Sequence, residues 1–191
     1  MIYAIRKTSA CLPLFLIVLT CCGCGKIAEN RAHKGVEFAR KGMHEQAIKE
    51  FSKAIYFKPD YALAYSNRGI IYGMKGELKL ALIDFDKAVA IDPKYPDAYY
   101  GRGLAYVKQN NINSAMNNFN KAIELNPKYA DAYRGRSLVY FLKQDYPTAL
   151  KDLEKVKELG GPVDSSLMEA LKNPSAHIME VAPEAGAQQA Q

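Results

Sequence analysis

Apolar and small side chains recur along this chain at the intervals of two short helices joined by a turn. Tyr65, Gly69 and Tyr72 are four and three residues apart, so they share one face of a helix. A second set at helical spacing follows and ends before Pro93. Proline lacks an amide hydrogen, and its ring clashes with a continuing helix, so the second helix stops there. Residues 62–95 therefore predict one pair of helices.

The same pattern returns at intervals of 34 residues. Glycine, alanine, phenylalanine and proline each keep one phase of this period: Gly35, Gly69 and Gly103; Ala47, Ala81, Ala115 and Ala149; Phe51, Phe85 and Phe119; Pro59, Pro93 and Pro127. A helix pair with this period and these residues resembles the tetratricopeptide repeat family. The resemblance extends over four units, at residues 28–61, 62–95, 96–129 and 130–163.

The small residues indicate how such units pack. Glycine in the first helix and alanine in the second let the two backbones approach closely, and the aromatic rings fill the space beside them. One pair cannot enclose its own apolar face, so neighbouring pairs stack. We expect an all-α solenoid of four helix pairs, which the resemblance implies to be a right-handed superhelix. Residues 164–173 predict a capping helix, and the composition of residues 174–191 predicts a disordered tail.

Composition argues against several classes of function. The 191 residues carry a net charge of +6 and no tract of basic residues interleaved with aromatics, so nucleic acid is not an expected partner. All four cysteines lie before residue 25 and the three histidines are scattered, so neither a metal site nor a cofactor is expected. No grouping of Ser, His and Asp and no glycine-rich phosphate loop stands out. The pattern favours a binding module over an enzyme.

Residues 1–21 have the pattern of a targeting segment. Arg6 and Lys7 give it a positive start, and an apolar stretch follows at residues 10–20. A helix that spans a bilayer needs about 20 apolar residues, so this stretch is short for a transmembrane span. A secretory peptide cleaved elsewhere and an uncleaved anchor are both alternatives.

The end of this segment resembles the lipobox of bacterial lipoproteins. The run closes on Cys22, and Cys21 stands before it where a small residue is usual. The resemblance implies cleavage after residue 21 and a lipid on Cys22, with Cys24 as the alternative site. Residues 22–27 would then be a short tether. Because Gly23 is not the aspartate that retains some lipoproteins at the inner membrane, the resemblance favours the outer membrane in a host with two membranes.

The first helices carry a second face, opposite their core face. In tetratricopeptide repeat proteins the first helices line a concave groove, so the resemblance implies a partner-binding site there. The residues of this predicted groove are Leu63, Ser66, Ile70, Met74, Asp97, Tyr100, Leu104, Val107, Lys108, Arg134, Leu138 and Phe141. Tyr100, Phe141 and Arg134 are the main candidates, because aromatics and arginine dominate binding energies.

An alternative assigns part of this face to the core. Ile70, Leu104 and Leu138 can equally pack between neighbouring first helices, since buried aliphatic residues usually belong to a core. One subgroup of the family binds carboxylate-terminated chaperone peptides with lysine, asparagine and arginine in the groove. Asn67 matches one element of that clamp. The other positions hold residues that cannot bind a carboxylate: Ala32, Val36, Asp97 and Gly101.

Charged residues form a further ladder at the same period. The basic phase is Lys34, Arg68, Arg102 and Arg136, and the acidic or amide phase is Glu50, Asp84, Asn118 and Asp152. We expect these residues to pair within each unit. Exposed ion pairs of this kind contribute at most about 1 kcal/mol to stability, so the ladder is predicted to be structural.

These observations predict a membrane-tethered scaffold that holds a protein or peptide partner. The lipobox resemblance implies a bacterial cell envelope, with the repeats facing the periplasm and a lipid anchor in the membrane. The alternative is a secreted or membrane-anchored adaptor, similar to a chaperone, that carries no lipid.

Overall fold

The structure is a computed structural model that describes the backbone of residues 14–172 and the side chains of residues 23–172. The start of the predicted targeting segment, the Cys22 side chain and the predicted disordered tail lie outside the described residues. Nine helices and no strand lie in the described range, which confirms the all-α fold. Their bounds are α1 Leu14–Arg40, α2 His44–Phe57, α3 Ala62–Met74, α4 Leu78–Ile91, α5 Pro96–Lys108, α6 Ile112–Leu125, α7 Ala130–Leu142, α8 Tyr146–Glu158 and α9 Ser165–Lys172.

The helices pair in the order that the repeat predicts. α1 packs on α2, α3 on α4, α5 on α6 and α7 on α8, and each second helix also contacts the first helix of the next pair. The first helices α1, α3, α5 and α7 additionally contact one another in sequence. α9 packs on α8. The result is a solenoid in which each pair packs on its neighbours and the core is continuous along the stack.

Each core phenylalanine lies against glycine in the first helices. Phe85 lies between Gly69 of its own pair and Gly101 of the next pair. A Cβ on Gly69 would meet the Phe85 ring at 3.1 Å, and a Cβ on Gly101 would overlap the ring. The other rings of this phase follow the same rule: Phe119 between Gly103 and Gly135, and Phe51 against Gly35. Glycine is therefore required both within a pair and between pairs.

The polar ladder forms within the units, as predicted for three of them. The Arg68 guanidinium donates to both carboxylate oxygens of Asp84, at 2.7 and 2.8 Å. Equivalent hydrogen bonds join Arg102 to Asn118 at 2.7 Å and Arg136 to Asp152 at 2.7 and 2.8 Å. Each guanidinium also donates to the second helix of the preceding pair: Arg68 to Ser52, Arg102 to Asp86 and Arg136 to Asn120. The arginines thus join successive pairs.

Two expectations about the ladder are wrong. The carboxylates are not exposed, since Asp84 is only 3% exposed and Asp152 is also buried. In the first unit, Glu50 accepts hydrogen bonds from Arg31 at 3.1 Å and Lys53 at 2.7 Å rather than from Lys34. Arg31 lies nearly one turn before Lys34 on α1 and takes the pairing role.

The N-terminal end of α1 includes the predicted tether. α1 is one helix of 27 residues, so residues 22–27, the predicted tether, are helical. No proline interrupts the sequence of α1. Ala28 and Ala32 are already buried, which ties this part of the helix to the first pair. Among the described residues, no helix has the length and apolar character needed to cross a bilayer.

The C-terminal helix caps the fourth pair. Asp164 precedes α9, and its carboxylate accepts hydrogen bonds from the Ser166 amide at 2.8 Å and the Ser166 hydroxyl at 2.6 Å. These bonds satisfy polar groups at the start of a helix and lower the pKa of Asp164. Leu171 and Met168 pack against a core cluster that includes Leu153 of α8. These contacts hold the cap against the fourth pair.

Candidate functional site

Two clefts open beside the first helices in the part of the chain that the structure describes. The larger cleft has a volume of about 430 Å³ and lies between α5, α7 and the segment that leads into α9. From the first helices it takes five predicted residues: Tyr100, Leu104, Arg134, Leu138 and Phe141. From the C-terminal segment it takes Pro162, Val163, Asp164, Leu167 and Leu171, which the sequence analysis did not include. Apolar side chains dominate both walls.

The smaller cleft, of about 100 Å³, lies between α3 and α5. It takes four predicted residues: Ile70, Met74, Leu104 and Lys108. Leu104 lines both clefts, so they adjoin along the row of first helices. Gly69, Gly73 and Gly101 also line the smaller cleft, because residues without a Cβ leave room there.

Helical geometry explains why Leu138 and Phe141 reach the larger cleft together. They are three residues apart on α7, so both project from one face. Leu138 is 41% exposed and Phe141 is 43% exposed, whereas Val139 between them is fully buried. Phe141 also packs on Tyr146, with ring centroids 5.7 Å apart. A partner could therefore bury additional apolar area on these two side chains.

The alternative that the aliphatic groove residues pack in the core holds at some positions and fails at others. Ile70 and Leu138 are exposed, so neighbouring first helices do not enclose them. Leu104 is partly buried and packs on a core cluster that contains Phe119 and Val139. Leu63 is exposed but lines neither cleft.

Three other predicted groove residues belong wholly or partly to the core. Ser66 is 1% exposed, and its hydroxyl lies beside that of Tyr95 without a hydrogen bond of good geometry among the described residues. Val107 packs on the core cluster that contains Phe119. Tyr100 lines the larger cleft but also packs on Phe119, with ring centroids 6.0 Å apart. The sequence analysis placed Ser66 in the groove, but this side chain is buried and is not available to a partner.

Tyrosines and carboxylates lie together at the N-terminal ends of the first helices. Burial raises the pKa of Tyr129, and the carboxylate of the predicted groove residue Asp97 raises it further. Burial likewise raises the pKa of Tyr100, with a further contribution from Asp131 and an opposing one from Arg134. Asp97 therefore lies beside the Tyr129 phenol, and it lines neither cleft.

The two basic groove residues are fixed by hydrogen bonds. Arg134 donates to Asp131 at 2.8 Å and to the Pro162 carbonyl at 3.2 Å, so it joins α7 to the segment before α9. Lys108 donates to the Gly73 carbonyl at 2.8 Å, which joins α5 to α3. Both lie at the margins of clefts whose floors are apolar.

The chemistry that this arrangement supports is recognition. Within residues 23–172, no group of three or more His, Cys, Asp or Glu residues could hold a metal ion. The clefts offer exposed aliphatic and aromatic side chains with charged groups at the edge, which is the composition of a binding surface. The fold and the clefts define a helical-repeat protein with a surface suited to a protein or peptide.

Comparison with family models identifies the kind of repeat. The model described as "TPR repeat" matches residues 35–76, 74–110 and 103–144, which together cover more than half of the chain. The chain therefore belongs to the tetratricopeptide repeat family. Proteins built from these repeats are generally non-enzymatic scaffolds. No curated protein matches the chain in a search of the whole sequence.

Solved structures share the fold. The structure of PilF from Pseudomonas aeruginosa has a TM-score of 0.73 and 21% identity, over 82% of this chain and 72% of that one. MamA from Desulfovibrio magneticus RS-1 has a TM-score of 0.61 and 27% identity, over 70% of this chain and 75% of that one. The first TPR domain of Spaghetti (RPAP3), bound to the HSP90 peptide SRMEEVD, has a TM-score of 0.60 and 22% identity, over 63% of this chain and 95% of that one.

Proposed function

We propose that this protein is a scaffold of the bacterial cell envelope, tethered to the membrane by its N-terminus, that holds a protein or peptide segment along its first helices. The observation that carries the proposal is the larger cleft, where Leu138 and Phe141 are exposed beside Arg134. A concave apolar site edged by a few polar groups is the usual form of a binding site.

The walls of the groove indicate the kind of partner. The two adjoining clefts form an apolar path from Met74 on α3 to Phe141 on α7. Such a path suits an amphipathic helix or an extended peptide with apolar anchors. The solved RPAP3 domain holds an HSP90 peptide, so this fold can bind a peptide.

The partner differs in chemistry from a carboxylate-terminated chaperone peptide. Of the clamp positions, only Asn67 carries a matching side chain. The others carry no cation: Ala32, Val36, Asp97 and Gly101. Ala32 is buried, and Gly101 is covered by the Phe85 ring. Recognition would therefore rest on apolar anchors rather than on a terminal carboxylate.

The membrane tether rests on the sequence before α2. The positive start at Arg6 and Lys7, the short apolar stretch and the run that closes on Cys22 support lipidation of that cysteine. A lipidated N-terminal cysteine carries more than one acyl chain, which is what stable anchoring requires. The repeats would then face the periplasm, and the outer membrane is the favoured location in a host with two membranes.

Mass spectrometry of the mature N-terminus tests the tether. Lipid on Cys22 supports it, and a retained Met1 or an unmodified Cys22 contradicts it. The matched variant is Cys22→Ser, which should release the protein from the membrane fraction while Cys24→Ser should not.

Capture from detergent-solubilised envelope tests the groove. The wild-type chain should enrich a partner that both Phe141→Ala and Leu138→Ala lose. Ile83→Ala is the matched control, because Ile83 is 57% exposed on α4 and lines neither cleft. Equal capture by all variants, at unchanged melting temperature, would refute binding at the groove.

A further inference from the structure

The larger cleft is closed on one side by α9, a helix that no second helix of its own covers among the described residues. α9 follows α8 as the first helix of a fifth unit would, and it contacts α8. In each of the four preceding units a second helix packs on the first. α9 lacks such a cover within residues 14–172, and Leu167 on its cleft side is 42% exposed.

The chain continues from α9 close to this opening. Leu171 lines the cleft, and the helix ends one residue later at Lys172. Pro174 follows, and the residue before a proline is disfavoured in a helix, so the chain can turn at this point. Whatever follows Lys172 therefore starts at the edge of the larger cleft.

One apolar segment lies within reach. Residues 178–181 read Ile-Met-Glu-Val, in a stretch otherwise rich in Ala, Gly, Pro and Gln. Ile178 lies six positions after Lys172, and an extended chain covers up to about 3.3–3.6 Å per residue, so the segment can lie roughly 20 Å from the end of α9. The span of α9 itself, eight residues at about 1.5 Å each, is roughly 12 Å. The segment can thus return along α9 to Leu167 and Phe141.

Charge also fits. Residues 173–191 contain Glu180 and Glu184 but no lysine or arginine. The cleft lining contains one cation, Arg134, which also donates to Asp131, and one carboxylate, Asp164, which is bound to Ser166. Glu180 lies inside the apolar segment, so it would enter the cleft with Arg134 as its oppositely charged neighbour.

We propose that residues 178–181 of the same chain occupy the larger cleft when no partner is bound. This inference rests on the proposed function, since it makes the chain's own segment a competitor for the partner site. A segment joined by a short linker has an effective concentration in the millimolar range. Weak apolar contacts are therefore enough to fill the cleft, and a partner must displace the segment to bind.

Site-specific photo-cross-linking in the full chain tests the proposal. p-Benzoylphenylalanine at position 141 replaces one aromatic residue with another at the cleft, and the same group at position 83 is the control on α4. Irradiation of the purified protein should give a cross-link from position 141 to residues 178–181, within one chain and unchanged on tenfold dilution. Position 83 should give none. Combining Ile178→Glu with Met179→Glu should reduce the yield at position 141 at least fivefold.

The other outcomes separate this inference from the proposed function. Cross-links from position 141 only between two chains, lost on dilution, would overturn the inference in favour of a second copy. A cross-link of equal yield in the double glutamate variant would also overturn it, since an unspecific collision does not depend on the apolar residues. If position 141 captures an envelope protein but never residues 178–181, the inference fails while the proposed function stands. A cross-link to residues 178–181 without capture of an envelope protein supports the inference, and it contradicts the proposed function if the double glutamate variant also captures none.

Discussion

The guanidinium of Arg68 donates two hydrogen bonds to the carboxylate of Asp84, at 2.7 and 2.8 Å. Asp84 is almost completely buried, so this pair is part of the interior of the solenoid. A buried charge that loses its partner is costly, because neither water nor another cation replaces it. In the third unit the acceptor is uncharged, because Arg102 donates to the Asn118 side-chain amide oxygen.

Arg68→Met should therefore destabilise the protein by about 3–5 kcal/mol, because it leaves the Asp84 carboxylate buried and unpaired. Arg102→Met should cost less, about 1–3 kcal/mol, because Asn118 is uncharged and still donates to the Ser114 carbonyl. Urea denaturation followed by circular dichroism measures both. Equal losses in the two variants would contradict a role for the buried charge.

The glycines of the first helices give a second prediction. Gly101→Ala should destabilise the fold by about 1–3 kcal/mol, because its Cβ would overlap the Phe85 ring between two pairs. Gly69→Leu should also destabilise it, through overpacking against the same ring.

Gly73→Ala is the matched control for these changes. Gly73 lies in the same helix as Gly69. A Cβ on Gly73 would lie 4.0 Å from the nearest atom, the Ala81 methyl group. Alanine is a better helix former than glycine, so this variant should be unchanged or more stable by about 0.5–1 kcal/mol. Thermal melting of the three variants side by side decides the matter, and a loss at Gly73 as large as that at Gly101 would show that packing on Phe85 is not the cause.

Tyr95 gives a prediction about pH. Burial raises its pKa to about 12, and the charge of Asp97 contributes as well. In the unfolded chain a tyrosine titrates near pH 10. The folded state therefore holds this proton over a range where the unfolded state has lost it. The stabilisation is complete below about pH 10 and is lost as the pH rises towards about 12.

Tyr95→Phe should remove the loss of stability at alkaline pH that comes from the Tyr95 phenol. The free energy of unfolding, measured by urea titration between pH 8 and pH 11, should fall less steeply in this variant than in the wild type. Tyr56→Phe is the control, because Tyr56 is highly exposed and should leave the slope unchanged. The same slope in all three proteins would exclude a raised pKa at Tyr95.

The groove residues give a prediction that separates stability from binding. Phe141→Ala should change stability by less than about 1 kcal/mol, because nearly half of the side chain is exposed, and it should weaken partner binding by about 2 kcal/mol. Tyr100→Ala should reduce stability by about 2 kcal/mol, because Tyr100 packs on Phe119 and Tyr129 across two pairs. Melting and capture must be measured on the same samples. A marked loss of stability in Phe141→Ala would place that ring in the core.

The sequence predicted the features that recur in each repeat unit. The helix pairs and the phase of Gly69 follow from one period, because each unit solves the same packing problem. It missed Gly101 and Gly135, because their contact is with a ring of the preceding unit, which a single helix pair does not show. It placed Ser66 on the surface for the same reason, since the angle around one helix does not include the neighbouring helix.

The remaining differences have separate physical causes. The burial of Asp84 was missed because a carboxylate is ordinarily exposed, and only the arginine that joins two pairs makes its burial possible. The C-terminal wall of the larger cleft was missed because Leu167 and Val163 lie in a short segment without a repeat partner. This segment has no counterpart in the other units, so the 34-residue period could not predict it. Only the side of the site that the first helices form could be predicted.

The continuity of α1 determines what kind of tether the proposed anchor would be. The helix includes Cys22 and runs into the first pair, where Ala28 is already buried. Ala28 lies six positions after Cys22, and a helix rises about 1.5 Å per position, roughly 9 Å in all. A lipid on Cys22 would then be joined to the solenoid by a rigid helix instead of a flexible linker. The groove would keep a fixed distance from the bilayer and a fixed orientation to it. A partner embedded in the same membrane would reach the groove by lateral diffusion.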